Sequence, residues 1–292
     1  MQVPSHVEYE RATSVEHALT LLGRPDHRVL AGGHSLIPMM KLRLAQPGVL
    51  VDINGLAELG YIRLDGGQLR IGALARHADL LDSAAAGQHF PIFHDAERVV
   101  ADPIVRLWGT IGGSLCQADP SEDLSAVFAA VRATAVIRGR DRDREVPVRE
   151  FHLGPYETVV GPGELLAEIR VPVAARGRTG SAYEKVARRV GDWSVAAAGT
   201  VLQLDQQTIE QAGIGLTAVG AEHFVAAEAE DFLRGQPATE ENFKAAARIA
   251  AEHCHPVADQ RGPEDYKRHL VAELTTRALR RAAGRAVARV TA

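Results

Sequence analysis

The chain has 292 residues, of which 46% are hydrophobic and 24% are charged, the composition of an ordinary folded protein. Its formal net charge is -4, so no basic excess favours nucleic acid, and no apolar run reaches the length of a membrane span. Two cysteines cannot supply the four ligands of an iron–sulfur cluster, and the N-terminal residues lack the pattern of a signal peptide. We therefore expect a cytoplasmic protein with one large domain or two ordinary ones.

The first part of the chain predicts a mixture of helices and short strands. Thr13 to Glu16 fits a capping box and opens a helix that must end before Pro25. Helical spacing predicts one helix over 76–86 and another from about Ser121. Short apolar or alternating runs predict strands at 29–31, 49–53, 69–73, 134–138 and 165–172.

The second part of the chain has a different order of elements. A change to Ala, Arg and Gly over 173–180 predicts a linker. Strands followed by helices then favour a separate α+β domain. The predicted strands are 182–187, 195–204 and 209–219, and the predicted helices are 222–233, 240–253 and 264–283.

Two glycine-rich loops are candidate anion sites. Ala31-Gly32-Gly33-His34-Ser35 follows an apolar strand, and Thr110-Ile111-Gly112-Gly113-Ser114 has the same character. Glycine permits positive φ and close approach, so backbone N–H groups could converge on an anion, although a tight turn without a ligand explains the first loop as well. Neither loop contains a GxGxxG motif. Two such loops in one domain would suit the pyrophosphate of a dinucleotide such as FAD.

Three other features admit more than one interpretation. Asp123 could accept hydrogen bonds from sugar hydroxyls, or it could be a favourable acid in the first turn of a helix. His253-Cys254-His255 is interpreted as a helix end before Pro256, because adjacent residues rarely converge on one metal ion. An arginine row on the last helix is either a solvated face or a docking surface for a partner, and its members are Arg277, Arg280, Arg281, Arg285 and Arg289.

Three stretches of the chain resemble the motifs of one family. AGGHSLIPMMKLRLAQPGVLVDIN (31–54) and GTIGGSLCQADPSEDLSAV (109–127) resemble the two FAD signatures of the medium subunits of molybdenum hydroxylases. SAYEKVARRVGDWSVAAAG (181–199) resembles the third motif of these subunits. The pattern is most similar to the flavoprotein subunits of aerobic carbon monoxide dehydrogenases, and more distantly to the flavin domain of xanthine dehydrogenases.

The resemblance implies an α+β fold with two domains. A two-lobed FAD-binding domain of the vanillyl-alcohol-oxidase (PCMH) type would occupy 1–175, with lobes of about 1–56 and 57–175. A smaller α+β domain with a three-stranded sheet and helices would occupy 176–292. FAD would be bound without a covalent link.

The resemblance also implies a set of FAD-binding residues, with no catalytic and no metal-binding residue on this chain. Both glycine loops would hold the pyrophosphate, Asp123 would bind sugar hydroxyls, and Leu166 would pack beside the flavin or the adenine. Lys185 would reach the isoalloxazine carbonyls and Trp193 would lie beside the ring; without the resemblance, they would be an exposed strand lysine and a core aromatic. The expected set is Ala31, Gly32, Gly33, His34, Ser35, Leu36, Thr110, Ile111, Gly112, Gly113, Ser114, Asp123, Leu166, Lys185 and Trp193.

The function implied by the resemblance is electron transfer within a larger complex. A substrate, carbon monoxide first, would be oxidised at molybdopterin on a large subunit. Electrons would cross the [2Fe-2S] clusters of a small subunit to the FAD here, and then reach a quinone or another acceptor. The complex would be a dimer of heterotrimers in the cytoplasm, which could attach to the inner face of the membrane. The alternatives are the medium subunit of an N-heterocycle or aldehyde hydroxylase, a self-contained FAD oxidase or dehydrogenase of the same fold, and a nucleotide-binding scaffold.

Overall fold

The computed structural model describes residues 3–174 and 178–288, so the expected domain boundary at 175/176 and Arg289 lie outside the described residues. The helices are α1 (Val15–Leu22), α2 (Leu36–Lys41), α3 (His77–Asp82), α4 (Ala84–His89), α5 (Pro91–Glu97), α6 (Pro103–Trp108), α7 (Ile111–Gln117), α8 (Asp123–Ala130), α9 (Ala227–Leu233), α10 (Glu240–Glu252) and α11 (Glu264–Ala288). The strands are β1 (Glu8–Arg11), β2 (His27–Leu30), β3 (Val49–Asp52), β4 (Ile62–Asp65), β5 (Gln68–Gly72), β6 (Thr134–Arg138), β7 (Asp143–Pro147), β8 (His152–Gly154), β9 (Glu157–Thr158), β10 (Leu165–Pro172), β11 (Arg178–Val186), β12 (Ala196–Asp205) and β13 (Thr208–Thr217).

The N-terminal sheet has three parallel strands in the order β1-β3-β2. Helix α1 contributes Val15, Ala18 and Leu21 to the core that includes Val51 of the central strand. Strands β2 and β3 end at the same edge, since parallel strands share their carboxyl ends. The first glycine loop therefore leaves the sheet at this edge, directly after β2.

The second sheet is antiparallel, with the order β4-β5-β10-β6-β7. The central strand β10 pairs with β5 on one side and β6 on the other. A core cluster that includes Phe93 of α5, Phe128 of α8 and Ile169 of β10 joins this sheet to its helices. This packing fixes α7 and α8, which carry the second glycine segment and Asp123.

The third sheet, β11-β12-β13, is also antiparallel and packs between helices. Helix α8 crosses so close to β13 that a Cβ added at Gly215 would lie 1.9 Å from the carbonyl oxygen of Ala126. Only glycine allows this approach. The third sheet thus packs directly on α8, while the first glycine loop lies against the end of α6.

Helix α11 is tied to the helices of the second sheet by charged side chains. Arg285 donates to both carboxylate oxygens of Asp95 on α5, at 2.5 and 3.0 Å, and Arg281 Nη2 lies 3.1 Å from Asp95 Oδ1. Asp95 Oδ2 also accepts from the backbone N–H of Tyr183 on β11. Arg281 and Arg285 of the predicted arginine row therefore bind other parts of the chain, while the side chains of Arg277 and Arg280 are both 55% exposed.

The α+β class predicted from the sequence is confirmed, and many elements match closely. Strands β6 and β10 have the predicted bounds, and the predicted order of three strands and three helices after the linker is observed. The helix over 240–253 ends at Glu252, with His253 as its C-cap, so the interpretation of His253-Cys254-His255 as a helix end is confirmed.

Several local predictions are wrong or missing, each for a physical reason. The predicted linker over 173–180 overlaps β11, which begins at Arg178 and pairs with β12 from that residue. The predicted helix over 222–233 is interrupted at Val225, whose backbone is extended, so α9 begins only at Ala227. Ser14, and not Thr13, caps α1 by accepting from the backbone N–H of His17 at 3.1 Å. The single helix over 76–86 is split at Ser83, whose extended backbone ends α3 and whose hydroxyl caps α4. Strand β4, which is exposed and lacks clear alternation, was not predicted. The second glycine loop is largely the helix α7, because Thr110 caps it by accepting from the N–H of Gly113.

Candidate cofactor site

A cavity of about 400 Å³ lies where the first glycine loop, the region of α6 to α8 and the start of the third sheet meet. This volume falls within the range of small-molecule and cofactor sites. We call it the cofactor cavity. The expected site residues that line it are Ala31, Gly32, Gly33, His34, Ser35, Leu36, Thr110, Gly113, Ser114, Asp123, Lys185 and Trp193.

The first glycine loop presents unused hydrogen-bond donors to the cofactor cavity. Among the described residues, the backbone N–H groups of Gly33, His34 and Ser35 have no protein acceptor. Gly33 has a φ of +73°, in the left-handed region that glycine adopts without strain. A row of free N–H groups in a turn of this kind binds anionic oxygens. The loop therefore fits the pyrophosphate of a dinucleotide.

Close packing holds this loop in place. A Cβ added at Gly32 would lie 2.2 Å from the carbonyl oxygen of Trp108, so the loop lies directly against the end of α6. On its other side, Asn54 Nδ2 donates to the carbonyl oxygen of Ala31 at 2.8 Å. Arg76 Nη2 in turn donates to Asn54 Oδ1 at 2.8 Å. The loop is thus preorganised by contacts from three separate segments.

The second glycine segment differs from the predicted anion cradle. The N–H groups of Ile111 and Gly112 donate to the carbonyl oxygens of Ala75 and Ala73, both at 2.9 Å. The N–H groups of Gly113 and Ser114 donate to the hydroxyl and the carbonyl oxygen of Thr110. Ser114 Oγ donates to Glu122, so the hydroxyl and the backbone N–H of Thr110 are the donors of this segment that remain for an anion.

Three expected site residues lie outside the cofactor cavity. Ile111 and Leu166 are buried in the core around the second sheet. A Cβ added at Gly112 would lie 2.6 Å from the Cβ of Ala73, so this glycine allows α7 to pack against the end of β5. In this structure these residues support the cavity wall rather than form it.

Asp123 is a buried hydrogen-bond acceptor that joins two parts of the chain. Its Oδ1 accepts from the hydroxyls of Tyr183 at 2.6 Å and Ser194 at 2.7 Å. Its Oδ2 accepts from Lys185 Nζ at 2.7 Å. Burial, followed by the negative charge of Asp123, raises the pKa of Tyr183 well above its usual value. The carboxylate is therefore already bound by three protein donors.

Lys185 and Trp193 both reach the cofactor cavity, but in different ways. The side chain of Lys185 is only 4% exposed and also donates to the carbonyl oxygen of Val99 at 3.2 Å. It is thus a buried cation at the cavity wall and not an exposed strand lysine. Trp193 is 44% exposed and follows Gly191, whose φ of +76° turns the chain against Ala101. It is not a core aromatic and can cover a ligand in the cavity.

Sequence reasoning missed His77, its buried partner Glu97, and the buried acid Glu122. His77 lines the cavity, and its Nδ1 lies 3.0 Å from Oε2 of the buried Glu97. Burial alone would lower the pKa of His77, but the attraction of Glu97 and its hydrogen bond outweigh burial and raise it. Glu122 also lines the cavity and accepts from Ser114 Oγ at 2.5 Å, while burial raises its pKa.

The missed residues carried weak sequence signals. Glu122 precedes a helix and caps it by accepting from the N–H groups of Leu124 and Ser125, which is a cap signal that Asp123 beside it obscured. His77 and Glu97 lie far apart along the chain and show no common pattern. Only the packing of α3 on α5 brings them together.

The described residues show neither a metal site nor a membrane span. In 3–174 and 178–288, no group of three or more His, Cys, Asp or Glu side chains is arranged to hold a metal ion. No helix in these ranges is both long and apolar enough to cross a bilayer.

Comparison with known proteins identifies the family. The family described as "FAD binding domain in molybdopterin dehydrogenase" matches residues 5–174, and the family "CO dehydrogenase flavoprotein C-terminal domain" matches residues 181–282. The chain belongs to the FAD-binding medium subunits of molybdenum hydroxylases. It is thus an oxidoreductase subunit with FAD as its cofactor, as the resemblance implied, while molybdopterin and iron–sulfur clusters belong to other subunits.

Individual medium subunits are similar to this one over nearly their whole length. The carbon monoxide dehydrogenase medium chain of Hydrogenophaga pseudoflava is 40% identical over 95% of this chain and 97% of its own. The glyceraldehyde dehydrogenase medium chain of Sulfolobus acidocaldarius is 36% identical over 96% of this chain and 99% of its own. A solved structure of the Hydrogenophaga pseudoflava carbon monoxide dehydrogenase matches with a TM-score of 0.93 and 42% identity, covering 97% of this chain and 99% of that one.

Proposed function

We propose that this medium subunit belongs to an aerobic carbon monoxide dehydrogenase, where it passes electrons from iron–sulfur clusters to a quinone or another acceptor. The observation that carries the proposal is the cofactor cavity, in which the free N–H groups of the first glycine loop and the ammonium of Lys185 face one space. Carbon monoxide is chosen as substrate on the 40% identity to a carbon monoxide dehydrogenase medium chain. The large and small subunits of the complex are the expected partners.

We assign a role to each element of the cavity wall. The N–H groups of Gly33, His34 and Ser35, together with the hydroxyl of Thr110, would hold the pyrophosphate. Lys185 would place positive charge beside the isoalloxazine, with Asp123 as its anchor rather than as a sugar ligand. FAD can accept electrons one at a time, as iron–sulfur clusters supply them, and release them as a pair, and a nearby cation favours its reduced form.

The organisation of the chain and its assembly extend this proposal. We place the domain boundary at 175/176, with lobes of about 1–56 and 57–175 in the FAD-binding domain. The families matched to residues 5–174 and 181–282 support a division in this region. The complex would be a dimer of heterotrimers in the cytoplasm, which could attach to the inner face of the membrane.

A second candidate function is the medium subunit of an aldehyde or N-heterocycle hydroxylase. The 36% identity to a glyceraldehyde dehydrogenase medium chain favours it, because that relative matches nearly as much of the chain. The two candidates differ in the large subunit, where the substrate is oxidised. This chain would perform the same electron transfer in either complex.

Reconstitution with the large and small subunits tests the proposal. We expect the chain to hold FAD that denaturation releases, and we expect the assembled complex to bleach its flavin absorbance at about 450 nm under anaerobic carbon monoxide. The chain alone should be bleached by dithionite but not by carbon monoxide. Bleaching of the single chain by substrate would contradict the subunit assignment, and bleaching of the complex only by an aldehyde or a heterocycle would favour the second candidate.

A further inference from the structure

A second cavity, of about 320 Å³, lies between the FAD-binding part of the chain and the third sheet. Its walls include Pro120 after α7, His152 of β8 and Leu216 of β13. The segment that closes it contains His223 and Phe224, which adopt consecutive left-handed conformations with φ of 50° and 60°. Such conformations are costly for bulky residues, so the surrounding packing must hold this segment in place.

His152 is a buried imidazole in the wall of this second cavity. It is 5% exposed, and its Nε2 lies 3.1 Å from the carbonyl oxygen of Leu115 and 3.3 Å from Ser125 Oγ. A carbonyl oxygen can only accept, so Nε2 carries the hydrogen and Nδ1 is left as a bare acceptor. Among the described residues, Nδ1 has no hydrogen-bond partner. Buried unpaired polar atoms are rare in native structures and call for an explanation.

A row of hydrogen bonds leads from His152 to the cofactor cavity. Ser125 Oγ, which is close to His152 Nε2, donates to Glu122 Oε2 at 2.6 Å. Ser114 Oγ donates to Glu122 Oε1 at 2.5 Å from the opposite side. Ser114 and Glu122 line the cofactor cavity, whereas His152 lines the second cavity. Four side chains thus connect the two cavities without a gap.

We propose that Ser114, Glu122, Ser125 and His152 form a proton path between the second cavity and the cofactor cavity. The proposal rests on the assignment of FAD to the cofactor cavity. Reduction of a bound cofactor adds negative charge, and a proton that arrives nearby balances this charge. The row offers such a proton a route that does not cross the cofactor cavity.

One proton moves along the row for each passage, and no other bond changes. A proton binds His152 Nδ1, the Nε2 proton passes to Ser125 Oγ, and the hydroxyl proton of Ser125 passes to Glu122 Oε2. His152 then carries its proton on Nδ1 while Glu122 stores the transferred proton. The reverse passage restores the starting tautomer: Glu122 returns a proton to Ser125, Ser125 returns one to Nε2, and Nδ1 releases its proton to the second cavity. The ring centroids of Phe224 and His152 lie 5.1 Å apart. A proton can therefore reach Nδ1 only if Phe224 or the imidazole ring moves slightly.

The charges around both titratable groups suit these roles. Burial raises the pKa of Glu122, its bonds to Ser114 and Ser125 lower it, and Asp123 raises it again. Glu97 is a further buried acid in this region. It pairs with His77, and Asp123 pairs with Lys185. Burial lowers the pKa of His152, the bond to Leu115 raises it and His223 lowers it, while Glu222 also lines the second cavity. His152 is therefore neutral at rest, and Glu122 can hold the transferred proton.

The proposal is tested by separating electron movement from proton movement. The FAD-loaded full chain is reduced and then mixed rapidly with ferricyanide, which accepts electrons without protons. Flavin absorbance reports loss of electrons, and a pH-indicator dye in weakly buffered solution reports release of protons. Ser125→Ala interrupts the row, and His152→Phe removes the ring nitrogens while keeping an aromatic ring. Thr217→Val is the matched control, since its buried hydroxyl donates to the backbone carbonyl oxygen of Glu122 but lies off the row.

We expect wild type and Thr217→Val to release electrons and protons together. Ser125→Ala and His152→Phe should release protons at least about tenfold more slowly while reoxidation keeps its rate. In His152→Ala, added imidazole should restore fast release, because the enlarged second cavity can admit it. Proton release at the wild-type rate in Ser125→Ala, or an equal delay in Thr217→Val, would overturn the path. Absence of FAD from the wild-type chain would instead overturn the cofactor assignment.

Discussion

Lys185 Nζ lies 2.7 Å from Asp123 Oδ2, and this buried ion pair joins strand β11 to the first turn of helix α8. Tyr183 and Ser194 donate to the other oxygen of the same carboxylate. The pair therefore fixes the third sheet to the wall of the cofactor cavity and holds the ammonium at a defined point of that wall. Asp123 acts as the anchor of this arrangement.

The first prediction concerns the stability that this pair provides. Lys185→Met leaves Asp123 buried without its cation, and removal of one partner of a buried pair costs about 3–5 kcal/mol. We expect a loss of this size in the free energy of unfolding of the apoprotein in urea. Lys185→Met combined with Asp123→Asn should recover part of the loss, because no buried charge is left unpaired.

An exposed lysine supplies the control for this prediction. Lys244 is 62% exposed and pairs with Glu240 one turn away on α10. Lys244→Met should change the free energy of unfolding by less than about 1 kcal/mol. Equal effects of Lys244→Met and Lys185→Met would show that the buried pair is not a specific source of stability.

The second prediction concerns the reduction potential of the bound FAD. Lys185→Met leaves a net negative charge at the cavity wall, which disfavours the reduced cofactor. A charged contact of about 1–3 kcal/mol corresponds to a fall of about 20–60 mV for a two-electron couple. Spectroelectrochemical titration of the loaded protein measures the shift. The double variant with Asp123→Asn should lie near wild type, and an unchanged potential in Lys185→Met would place the isoalloxazine away from this side chain.

The third prediction concerns the first glycine loop. Gly32→Ala adds a Cβ that would lie 2.2 Å from the backbone oxygen of Trp108, so the loop must move and its free N–H groups lose their positions. We expect the folded protein to contain little FAD, as measured by absorbance after purification. Gly87→Ala on α4 is the control, because nothing lies within 4 Å of the added atom, and it should retain FAD fully. Full occupancy in Gly32→Ala would contradict the assignment of this loop.

The two glycine segments show which features of the site can be predicted from the sequence. The strand and the Gly-Gly pair before His34 predicted a turn with free N–H groups, and both are local properties. The same reasoning failed at Ile111 and Gly112, because their N–H groups donate to the carbonyl oxygens of Ala75 and Ala73 in a distant segment. Whether an N–H group is free depends on packing between distant segments, which composition and spacing do not encode.

Lys185 illustrates the same limit in electrostatics. The motif around it predicted a cation near the flavin, and the structure places the side chain at the cofactor cavity. Its partner Asp123 was expected to bind sugar hydroxyls, since the sequence does not show that β11 crosses the start of α8. The pairing of His77 with Glu97 and the row through Ser125 to His152 were missed for this reason: each contact joins elements that are separate in the chain.

The last prediction concerns the pH dependence of stability through His77 and Glu97. The carboxylate of Glu97, 3.0 Å away, raises the pKa of His77 above its unfolded value of about 6.5. Between these two pKa values, the folded state binds more protons than the unfolded state. The stabilisation by His77 is therefore complete below pH 6.5 and is lost as the pH rises through the folded pKa. The free energy of unfolding falls by up to about 1.4 kcal/mol per pH unit in this range. Urea unfolding of the apoprotein from pH 6 to 9 measures it. In His77→Gln, the part of this pH dependence that comes from His77 should disappear. The part that comes from buried acids such as Glu122 should remain, because their raised pKa also makes the free energy of unfolding fall as the pH rises. A stability difference between wild type and His77→Gln that stays constant over this range would show that His77 does not titrate in the folded protein.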